Sequence, residues 1–73
     1  MPDYVVERVD TEEQVLVFRA KNLEMAIYEL RREMYLGKYK YEVEYRKHSA
    51  IISIKLPFNQ ELFYLVGEVG RSD

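Results

Sequence analysis

Residues 39 to 46, Tyr-Lys-Tyr-Glu-Val-Glu-Tyr-Arg, alternate almost strictly between large and charged side chains. Tyr39, Tyr41, Val43 and Tyr45 fall on one side, and Lys40, Glu42, Glu44 and Arg46 on the other. Successive side chains of an extended chain point to opposite faces, so this stretch reads as a strand with one wet and one covered face. Such a strand needs neighbours to pair with and something apolar to cover it.

The cover is supplied just upstream. In the helical pattern of residues 22 to 37, Leu23, Ile27, Leu30 and Met34 form one apolar stripe at i, i+4, i+7 and i+11. Asn22 is a good N-cap, able to accept a bond from an otherwise unpaired N–H of the first turn. Glu24 lies near the end that favours anions, and Arg31 and Arg32 lie toward the end that favours cations. Gly37 supplies the residue that commonly closes a helix.

Strands account for the rest. Residues 4 to 9, with three valines, and residues 15 to 20 flank a polar turn, which suggests an antiparallel hairpin. Residues 50 to 56 place Ala50, Ile52, Ile54 and Leu56 on one side and Ile51, Ser53 and Lys55 on the other. The segment from Asn59 to Val69 is compatible with a helix aligning Leu62, Leu65, Val66 and Val69. Its aromatic and β-branched content favours a strand, and residues 57 to 60 then make a hairpin loop. The expected fold is α+β, in the order ββαβββ, with one helix across one face of an antiparallel sheet of about five strands. All 73 residues form a single compact domain in this reading.

A domain this small buries only about 60% of the surface its unfolded chain exposes. It contains no cysteine, so its stability has to come from a tight core or from a partner rather than from disulfides or thiolate metal sites. With 48% hydrophobic residues it is far from the disordered class. A net charge of −2 argues against a dedicated duplex-DNA binder, which needs a basic excess to neutralise phosphates. No apolar run approaches the roughly 20 residues that span a bilayer, and no basic segment leads into an apolar one at the start. The expectation is a cytoplasmic protein without membrane association.

Catalytic chemistry finds little to work with. His48 and Ser49 are adjacent, so in a strand they point apart, and no third group orients them; His48 reads as a solvated turn residue. Glu42 and Glu44 share a strand face about 7 Å apart. Lys40 and Arg46 flank them, which makes a row of alternating charge rather than an acid–base pair. The acidic residues are dispersed, with no calcium-type loop, and Gly37, Gly67 and Gly70 form no phosphate-cradling loop. The chain is expected to be no enzyme, with no cofactor, metal or small-molecule substrate.

Binding is the remaining class. Residues 38 to 48 could hold single-stranded nucleic acid, with Tyr39, Tyr41 and Tyr45 stacking on bases and Lys38, Lys40, Arg46 and Lys47 on phosphates. Parity opposes this, because Lys40 and Arg46 project away from the tyrosines and Glu42 and Glu44 lie between them. The favoured reading turns the tyrosines toward the helix, so that Tyr41→Ala would cost about 3 kcal/mol or more.

Several strands carry apolar groups on both faces, as with Val15 and Val17 opposite Leu16 and Phe18, Ile51 opposite Ile52, and Phe63 and Leu65 opposite Tyr64 and Val66. One helix cannot cover both sides, and a large exposed apolar patch marks an interaction surface. Seven Tyr, three Phe and three Met suit such an interface. The expected contacts with a larger protein are Tyr4 and Arg8 on the first strand and Tyr28, Arg31, Arg32 and Tyr35 on the helix. A homodimer packing sheet face to sheet face is a further possibility. In size and in lacking catalytic groups, the chain resembles the small cysteine-free proteins that phages and mobile elements use to bind host machinery. That resemblance implies a regulator or inhibitor of a host complex, for example RNA polymerase or a nuclease complex.

Overall fold

The computed structural model of the chain describes residues 1–33 and 38–71. Its elements follow the expected order: β1 (Asp3–Arg8), β2 (Gln14–Arg19), α1 (Leu23–Glu33), β3 (Lys40–Tyr45), β4 (Ser49–Lys55) and β5 (Glu61–Glu68). The strands form one antiparallel sheet in the order β2-β1-β5-β4-β3. The last strand of the sequence is therefore the central one. Its backbone is paired on both sides, by β1 and by β4, which accounts for a strand where the 3.6-residue pattern also allowed a helix.

The helix carries the chain from the β2 edge to the β3 edge and lies over β5 on the way. Asn22 caps it as expected, its Oδ1 accepting the Met25 N–H at 2.9 Å. Leu23 packs at the margin of the core, and Ile27 and Leu30 are buried in it together with Ala26. Ala26 extends the stripe to i+3, and its small side chain allows the helix backbone close to the sheet. The Met34 end of the stripe and the Gly37 stop lie outside the described residues.

Register places Tyr4 and Val6 of β1, Tyr64 and Val66 of β5, and Ala50, Ile52 and Ile54 of β4 on the helix side. Leu30, Ile52, Ile54, Val6 and Val66 are the largest side chains that are wholly enclosed. Each contributes roughly 1.5–3 kcal/mol relative to exposure. Leu16, Phe18, Val43 and Tyr39 close the margins of this core.

Candidate interaction surface

Of the contacts expected on the first strand, Tyr4 must be corrected. It is only 4% exposed, because its parity with Val6 turns it under the helix rather than toward a partner. Burial, reinforced by the Glu68 carboxylate, raises its phenol above the ordinary value of 10.0. Arg8 stays partly exposed at the end of β1, bonded to Asp10 at 3.0 Å. On the helix, Tyr28 is open to solvent and Arg32 is exposed with Glu29 3.8 Å away. Arg31 is engaged within the fold: its guanidinium carbon stands 3.8 Å from the centroid of the Tyr41 ring. Its buried Nε has no hydrogen-bond partner among the described residues. Tyr35 lies outside the described residues. Among the described residues the helix offers Tyr28 and Arg32 to solvent, with Arg31 turned to Tyr41.

The nucleic-acid strand is divided between two faces, as parity required. Tyr41, Val43 and Tyr45 share the helix side with Ile54, Ile52 and Ala50, while Lys40, Glu42 and Glu44 point the other way. Tyr39 is half-buried against the core, with the Lys38 ammonium 5.3 Å from its ring. Tyr41 and Tyr45 remain 39% and 53% exposed, because β3 is an edge strand that the helix only partly reaches. Arg46 and Lys47 are exposed beyond its end. Lys40 projects away from Tyr41 and Tyr45, while Lys38 stands against Tyr39.

The face away from the helix has a simpler order. Val17, Val5, Gly67 and Ser49 line up across β2, β1, β5 and β4. In the next row Leu65 lies between Glu7 and Ile51, with Glu44 beyond. In the third, Phe63 accepts the Val9 N–H at 3.1 Å and lies beside Ser53, with Glu42 beyond. A fourth row, Glu61, Lys55 and Lys40, is wholly charged. The result is an apolar strip over the central strands, walled on one side by Lys40, Glu42 and Glu44 of β3 and by Arg46 just past its end. Val9, Val17, Phe63 and Val69 are each exposed, and no described helix lies on this face.

One end of the strip is hollow. Gly67 and Ser49 are flanked by Val5, Leu65, Arg46 and Arg71 around a groove of about 500 Å³. A Cβ at Gly67 would meet the Ser49 Cβ at 3.8 Å, an ordinary contact. The missing side chain therefore widens the groove without being demanded by the backbone.

Two features escaped the sequence reading. Phe58, at the tip of the β4–β5 hairpin, is 93% exposed with φ of 63°, and Asn59 beside it has φ of 59°. The Gln60 N–H faces the Pro57 carbonyl at 3.5 Å, and Leu56 N–H donates to Gln60 O at 2.8 Å. Two consecutive left-handed residues suit a primed hairpin turn, which normally takes Asn and Gly. A phenylalanine there is strained as well as solvated. Its position between Pro57 and Asn59 in a loop was the available signal. The groove had none, since it depends on which strands become neighbours.

His48 lies in the β3–β4 turn but is half-buried, its Nδ1 3.8 Å from a Glu68 carboxylate oxygen. No group of three or more His, Cys, Asp or Glu side chains capable of holding a metal occurs among the described residues. No described helix is long and apolar enough to cross a membrane. Comparison with protein-family models, with curated proteins and with solved structures finds no match.

Proposed function

We propose that the chain is a non-catalytic cytoplasmic module that regulates or inhibits a larger protein complex by occupying one of its surfaces. The observation that carries this reading is the sheet face on which no described helix lies, where Val5, Ile51, Phe63 and Leu65 form a strip with charge along its β3 side. An apolar centre with a polar rim is the anatomy of a protein–protein interface. A host complex such as RNA polymerase or a nuclease complex fits the chain's small size. The helix's outer face, with Tyr28 and Arg32, is the lesser candidate, since Arg31 is taken up by Tyr41.

The test is a tagged pull-down from a nuclease-treated lysate with three forms of the chain. The parent and the Tyr28→Ala, Arg32→Ala variant should both retain one stoichiometric protein, and the Ile51→Lys, Phe63→Lys variant should lose it while remaining folded. Loss with the helix variant alone would move the site to the helix. Retention only when nuclease is omitted would replace this reading with nucleic-acid binding.

A further inference from the structure

The two edges of the sheet are built differently. An edge strand presents unpaired N–H and C=O groups, and proteins commonly blunt it with charge. At the β3 edge this is done, with Lys40, Glu42 and Glu44 spaced along the strand. At the β2 edge, Val15, Leu16, Val17 and Phe18 form an uncharged interior. Both faces of this strand are incompletely covered, since Val15 and Val17 are exposed and Leu16 and Phe18 are only half-buried. Their neighbours Tyr4 and Val6 on β1 are enclosed. Another strand laid along β2 would cover both faces at once.

Charge selects the occupant. β2 is preceded by Glu12 and Glu13 and followed by Lys21, and none of these three side chains forms an ion pair among the described residues. A strand acidic before its start and basic after its end is complementary to its own antiparallel copy. Parallel pairing would set like charges together. We infer that β2 pairs antiparallel with β2 of a second copy of this chain, centred near Val17. The two sheets then become one, with both helices on the same side. In this register Val17 meets Val17 of the second copy, Leu16 meets Phe18, and Glu13 approaches Lys21. The irregularity between Val6 and Glu7, where β1 pairing skips Val15, confines the new ladder to the segment from Val15 onward.

Val17 also stands in the first row of the open face, so Phe63→Lys, placed on that face and away from β2, distinguishes edge pairing from a dimer made through the face. Sedimentation of the purified full chain should show average mass rising from monomer toward dimer with concentration, up to about 1 mM, the weak end of specific association. Val17→Lys, at an already exposed site, should keep the fold and give a monomer, because two lysines would then face each other. Lys21→Glu and Glu13→Lys should each weaken the dimer by about tenfold, and their combination should restore it. A chain that is monomeric throughout the range overturns the inference. So does a dimer that survives Val17→Lys, or one abolished by Phe63→Lys on the open face.

Discussion

Arg31 and Tyr41 meet across the gap between helix and sheet edge, with the guanidinium carbon 3.8 Å from the ring centroid. The pair fastens α1 to β3, the strand farthest from the β1–β2 hairpin. It also gives a tyrosine that is 39% exposed a contact within the fold. A double-mutant cycle with Arg31→Ala and Tyr41→Ala, measured by urea denaturation, should give a coupling of about 0.5–1 kcal/mol. Tyr41→Ala alone should cost less than the roughly 3 kcal/mol expected of an enclosed aromatic, because part of the ring is already in water. A coupling of zero would show that the contact does not stabilise the fold.

The hairpin tip makes a prediction of the opposite sign. Phe58 and Asn59 both occupy the left-handed region, with φ of 63° and 59°. Phe58→Asn combined with Asn59→Gly supplies the residues the turn prefers, so stability should rise by about 1 kcal/mol. A lower melting temperature for the double variant would mean that Phe58 makes contacts which offset its strain.

Gly67 tests the groove. Its backbone does not need glycine, and an added Cβ would meet only the Ser49 Cβ, at 3.8 Å. Gly67→Ala should therefore fold and gain about 0.4–1 kcal/mol by restricting the unfolded chain. Destabilisation in thermal unfolding would show that the groove floor cannot accept even a methyl group.

Tyr4 predicts an alkaline weakness. Its phenol is raised in the folded state by burial and then by Glu68, so folding favours the neutral, protonated form. That contribution is complete below the unfolded value near 10.0 and is lost as pH rises through the folded value. Stability should fall above about pH 10, and Tyr4→Phe should fall less steeply over the same range. Identical alkaline slopes in the two proteins would remove Tyr4 as the cause.

The alternation of residues 39 to 46 and the stripe Leu23, Ile27, Leu30 determined which side chains share a face, because those periods are properties of the local backbone. Asn22 marked the helix start for the same reason, its cap needing only the next few residues. Local periodicity carries no information about distant neighbours. Tyr4 and Tyr45 both sit on strands in the sequence, yet one is 4% exposed and the other 53%. The difference arises because β1 is flanked by β2 and β5 while β3 ends the sheet. Only tertiary pairing put the last strand at the centre, set Gly67 beside Ser49 to open a groove, and left β2 as an edge strand with an uncharged interior. Those outcomes depend on long-range strand order, which no local side-chain period encodes.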